Sequence, residues 1–171
     1  MQPQSGNGDD AVARARELVR AKQLEPAVAL LREHLTAHPD DGVGWRRLAG
    51  ALIGLDEEPA AVDAADRAIE LNSEDAAAYR YRALAHQLLS RYRESYADAK
   101  RAVELAPDDH ESLSLLALNV LAVDRDTARF KELIQRAPPA GRSMRLGVVP
   151  PVCPRARHQP PDLPERAGFR R

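Results

Sequence analysis

Residue types able to do chemistry are present in this chain of 171 residues, but they are poorly assembled. His34 and His38 stand four apart, a helical spacing that sets two imidazoles side by side as two ligands of a metal would be. Glu33, Leu35, Thr36 and Ala37 complete no HExxH motif around them. Two histidines close to a helix C-terminus also suit the local dipole, so no metal is expected. The carboxylate pairs Asp40–Asp41 and Asp108–Asp109 follow apolar helical runs, where they would cap the next helix and stay solvated. Gly42, Gly44, Gly50 and Gly54 lack GxGxxG spacing and follow no strand. No P-loop and no Ser–His–Asp ordering is visible. Cys153 is the only cysteine, which excludes an intramolecular disulfide and a cysteine-rich zinc site. These observations predict no catalytic residue, no metal, no cofactor and no small-molecule substrate: not an enzyme.

The elements that would position any site follow a beat of 34 residues. AHPDD at 37–41, LNSED at 71–75 and LAPDD at 105–109 are the same punctuation, with Pro39, Ser73 and Pro107 in equivalent slots. Self-similarity at such a period marks a repeat array. Each unit reads as two amphipathic helices. In the first, Val12, Ala15, Leu18 and Val19 form a stripe with Asp9 or Asp10 as N-cap; after a break at Lys22–Leu24, Pro26 opens a second helix carrying Val28, Leu31 and Leu35. The second unit has Trp45, Leu48, Ala49 and Leu52, then Pro59 and Ala61, Val62, Ala65, Ala68, Ile69 and Leu71. The third has Tyr79, Ala83 and His86, then Tyr92, Tyr96, Ala99, Ala102, Val103 and Leu105. The fourth starts with Leu113, Leu116, Ala117 and Val120. Aligned from Pro138, its second helix lies three residues short, which places Phe130 and Leu133 where Ala99 and Ala102 sit. The prediction is a degenerate closing repeat.

Composition agrees. Aromatic residues make up only 4% of the chain, and plentiful alanine suits helices packed closely together. A net charge of −1 hides an asymmetry. Residues 139–171 hold seven Arg against Asp162 and Glu165, a net +5, which leaves −6 on residues 1–138. Seven of the 13 prolines also lie in 139–171, so this segment is expected to be disordered. It fits either a basic tail or a truncated or frame-shifted end. No apolar run reaches the roughly 20 residues of a membrane helix. MQPQSGNGDD lacks the basic start and apolar core of a secretory signal, which makes a cytoplasmic location the expectation.

On these residues the chain resembles the tetratricopeptide repeat (TPR) family. The second unit fits well through Trp45, Leu48, Ala49, Ala61 and Ala68, with Ser73 in place of proline. The third supplies Tyr79, Ala83, Ala102 and Pro107 but departs at Arg82 and Ser95; the first keeps Ala15, Ala27, Leu31 and Pro39 but lacks a large residue at Ala11. His86, where the family has tyrosine, reads as a packed core histidine. The resemblance implies an all-α, right-handed superhelical solenoid of about four helix-turn-helix repeats over residues 9–138. The units are about 8–41, 42–75, 76–109 and a degenerate 110–138, between a flexible 1–8 and the disordered tail 139–171.

The resemblance also implies a concave groove lined by the first helix of each unit. Carried over residue by residue, the groove takes Asp9, Val12, Arg16, Val19 and Arg20, then Val43, Arg46, Gly50, Ile53 and Gly54. It continues with Ala77, Arg80, Leu84, Gln87 and Leu88, then Glu111, Ser114, Leu118 and Leu121. Arg16, Arg20, Arg46 and Arg80 would bind carboxylates of a protein or acidic peptide through charge-assisted hydrogen bonds, over a floor of Val12, Leu84, Leu88 and Gln87. Gly50 and Tyr81 stand where two asparagines of the family's two-carboxylate clamp would be, so that specificity is not expected. The expected function is a protein-interaction scaffold. Two other readings are nucleic-acid or anionic-surface binding through Arg155, Arg157, Arg166, Arg170 and Arg171, and self-association through an uncapped last repeat. Apart from Phe169 the tail lacks the aromatic interleaving of base-stacking proteins, which counts against nucleic acid.

Overall fold

The computed structural model describes residues 7–137, with side chains from Asp10 onwards. Among them are eight helices and no strand: α1 (Asn7–Arg20), α2 (Leu24–Ala37), α3 (Gly42–Ile53), α4 (Glu58–Leu71), α5 (Ala76–Leu88), α6 (Tyr92–Leu105), α7 (His110–Val123) and α8 (Thr127–Arg136). The expected tail, 139–171, lies outside the described residues, as do residues 1–6 of the expected flexible N-terminus. α1 starts before Asp9 and Asp10, so these acids occupy its first turn and do not cap it.

Capping alternates with the repeat. Asp41, Asp75 and Asp109 each accept a backbone N–H in the first turn of α3, α5 and α7, at 3.0–3.2 Å. Asp126 does the same for α8, through Arg129 at 2.9 Å. The second helices α2, α4 and α6 follow Gln23, Glu57 and Arg91 with no side-chain cap. They depend on the hairpin turn before them, where Lys22, Asp56, Ser90 and Arg125 take a left-handed conformation with φ of 54–61°. The backbone N–H of the residue after Lys22, Asp56 and Ser90 reaches back to Leu18, Leu52 and His86 in turn, the bond that closes a helix through a left-handed residue.

The first three of these turns recur 34 residues apart and the fourth after 35. α8 starts 35 residues after α6 but ends at Arg136, so the closing repeat gains one residue in its turn and is short at its end. This corrects the alignment counted back from Pro138. Phe130 and Leu133 match Ser95 and Asp98 of α6, and with Ala137 they close the core of the last repeat.

Alanine sets how closely the helices approach. Ala15, Ala49, Ala83 and Ala117, one in each first helix, are fully buried, as are Ala27 and Ala61 in the second helices. Each first helix also packs its backbone close to the next first helix, α1–α3, α3–α5 and α5–α7, whereas no two second helices bring their backbones that close. The first helices therefore form the tight inner row and the second helices a splayed outer row. That difference in spacing curves the stack and makes the inner row concave. Val12, expected on the concave floor, is instead part of the core with Ala15, Val28 and Leu31.

The two departures in the third unit each belong to a polar cluster of their own. Arg82 stands where the second and fourth units carry Leu48 and Leu116. It reaches outward between α4 and α6, donating to Asp98 at 2.6 and 2.8 Å and to Asp66 at 2.5 Å. Its hydrogen bond to Asp98, opposed by burial and aided by the one to Asp66, holds its pKa above the ordinary arginine value. Ser95 donates to the Ala83 carbonyl at 2.7 Å and accepts from the Asn119 amide at 2.8 Å, all fully buried. His86 is largely buried, with Nε2 at 3.8 Å from Asp98.

Candidate functional site

The inner row presents arginine in two different states. Arg46 of α3 grips Asp75, the N-cap of α5, with one nitrogen at 2.9 and 3.1 Å from the two carboxylate oxygens. Arg80 of α5 repeats this one unit later. It grips Asp109, the N-cap of α7, at 2.7 Å, and Glu111 at 3.0 Å. Burial works against the charge of Arg80, but these two acids more than offset it and raise its pKa. Each arginine thus staples its own repeat to the cap of the next. In the first unit this position is Val12, and Asp41 is held instead by His34, whose Nε2 lies 2.8 Å from Oδ2. His34 is buried in the slot that Ala68 and Ala102 occupy in later units, and its ring stacks 4.7 Å from that of His38. The His34 imidazole is thus a partner of a helix cap.

Arg16 and Arg20 lie one turn apart on α1, both exposed, and neither makes an ion pair among the described residues. Arg47, next to Arg46 on α3, has no acid partner either, and its Nε is buried without an acceptor. Burial, then the positive charges of Arg46 and Arg16, push the pKa of Arg47 below the ordinary arginine value, and Arg20 adds to the effect. Among the described residues no acid pairs with Arg47, Arg16 or Arg20. Arg47 was missed by the residue-by-residue transfer, which took its neighbour Arg46. The missing signal was the acid at position 75, which satisfies Arg46 and leaves Arg47 unmatched.

The remaining groove positions divide along its length. Gly50 lies under the Tyr81 ring, where a Cβ would come 3.0 Å from Cζ, so α3 and α5 meet across a glycine. Gly54 faces Leu24 and not the open groove, since a Cβ there would come within 2.7 Å of Leu24 Cδ1. Leu84 and Gln87 are half-buried on α5, and Leu118 is half-buried on α7. Leu88 and Leu121 are open, at 49% and 39% exposure. No group of three His, Cys, Asp or Glu among the described residues could hold a metal ion, and no described helix is long and apolar enough to cross a membrane.

No family model matches the sequence. The structure nevertheless has close counterparts among solved ones. It is similar to the first TPR of Spaghetti (RPAP3) bound to the HSP90 peptide SRMEEVD, with 22% identity and a TM-score of 0.67 over 70% of this chain and 95% of that one. It is likewise similar to the Arabidopsis OM64 TPR domain, with 20% identity and a TM-score of 0.65 over 68% and 97%. For the Sgt2 TPR domain from Aspergillus fumigatus the values are 15% and 0.67 over 72% and 86%. The chain therefore has the tetratricopeptide-repeat fold: an all-helical solenoid of repeated hairpins.

Proposed function

We propose that this protein is an interaction scaffold whose concave groove holds an acidic segment of another protein, either an extended peptide or the acidic face of a helix. The observation that carries this reading is the trio Arg16, Arg20 and Arg47, cations on the contacting helices α1 and α3 without an acid partner among the described residues. A carboxylate placed among them would receive charge-assisted, often bidentate hydrogen bonds and relieve their mutual repulsion. Arg46 and Arg80 serve the same groove differently, since their staples to Asp75 and Asp109 fix the spacing of the inner helices. Leu84 and Gln87 supply its floor. The first TPR of Spaghetti (RPAP3), a solved structure of the same fold, is bound to the HSP90 peptide SRMEEVD, which supports a peptide-binding role.

The test is binding of a fluorescent poly-glutamate peptide to the full chain. Arg16→Ala with Arg47→Ala should weaken it by about tenfold or more, the scale of lost charge-assisted hydrogen bonds. Unchanged affinity in that variant would sink the groove assignment. Deleting 139–171 should leave this binding intact. If the basic segment were the binding element, polyanion binding would disappear with it and the groove variant would be silent.

A further inference from the structure

The groove differs at its two ends, and this difference narrows the kind of partner it fits. On α1 and α3 the inner surface carries Arg16, Arg20 and Arg47, and Val19 and Val43 of the same helices are exposed. On α5 and α7 it carries Leu84, Leu88, Leu118 and Leu121, and Arg80 there is already matched by Asp109 and Glu111. Two leucines left open beside half-buried ones form an unpartnered apolar strip, which is costly to leave in water unless something covers it. The chain's own residues 139–171, at net +5, are ill suited to lie along a groove whose other end is cationic.

We infer that the groove is bipartite and that its partner is a segment with carboxylates at one end and aliphatic side chains at the other, the acidic end on α1–α3 and the aliphatic end on α5–α7. This rests on the groove reading above. Inner helices in contact lie about 8–10 Å apart, so two steps separate the ends by roughly 20 Å. An extended chain covers that distance in about six residues. A partner with both features at that separation gains from two sites through one linkage; a purely acidic or purely aliphatic one fills half the groove.

The experiment uses the full chain and three labelled synthetic peptides: an acidic block, a serine-flanked Leu-Val block, and the two joined by a Gly/Ser spacer. A spacer of about twelve residues has a mean span near 20 Å. The joined peptide is made in both orders, since either chain direction satisfies the inference. It should bind at least about tenfold more tightly than the acidic block alone. Leu88→Ser with Leu121→Ser, at exposed positions that leave helicity unchanged, should remove that gain and leave the acidic block unaffected. A photo-crosslinker at the aliphatic end should label α5 and α7. Should the acidic block bind while joining brings no gain, or the crosslinks fall on α1 and α3, the bipartite inference is overturned and the simpler groove reading stands. Should the acidic block itself fail to bind, both fall.

Discussion

Arg82 shows how much one substitution in a repeat position can reorganise. A leucine in its slot would leave Asp98, with a side chain only 10% exposed, facing apolar neighbours without its cation. Arg82→Leu should therefore cost about 2–3 kcal/mol, and adding Asp98→Ala should recover most of it, because Ala64 already fills that place in the second unit. Urea denaturation of the single and double variants checks this; additive losses would contradict it. Ser95→Ala should cost about 1–3 kcal/mol by leaving the Asn119 amide short of an acceptor in a fully buried place. Asp109 adds a pH dependence. Burial alone would raise its pKa, but hydrogen bonds from Ser112 and Arg80 outweigh this and hold it below the ordinary value. The stability it contributes is present above about pH 4 and is lost as pH falls through the lowered folded value. Wild type should lose more stability than Asp109→Asn over that acid range, measured by urea midpoints. Arg82 and Ser95 were visible in the sequence as departures from pattern. Their partners were not, because the pairing depends on the register of α4, α5, α6 and α7 together.

At the scale of the element, apolar periodicity and the Asp caps placed the helices, and the 34-residue beat placed the hairpins. What stayed hidden was the turn inside each hairpin. Lys22, Asp56, Ser90 and Arg125 adopt the left-handed conformation without the glycine that ordinarily announces it. The longer fourth turn was equally silent, so counting back from Pro138 assigned α8 the wrong register. Relieving one such turn is a direct check. Ser90→Gly removes a left-handed penalty of about 1–2 kcal/mol while adding chain entropy worth about 0.5–1, so a net gain of up to about 1.5 kcal/mol is expected. A loss of thermal stability would show that the Ser90 side chain has another role.

Over the whole molecule, local contacts between neighbouring hairpins carry the fold, and the concave row is assembled from four separate helices. Its architecture was legible because the repeat recurs; its chemistry was only partly so. The four arginines named from the sequence lie on α1, α3 and α5, and which of them pair within the described residues depends on acids 29 residues further on, Asp75 for Arg46 and Asp109 for Arg80. That distinction decides the function proposed here, and it can be mapped in one experiment. Amide chemical shifts of the isotopically labelled full chain, followed as a poly-glutamate peptide is added, should move first on the groove side of α1 and α3, around Arg16, Arg20 and Arg47. Shifts confined to the outer helices α2, α4 and α6, or to residues 139–171, would contradict the account.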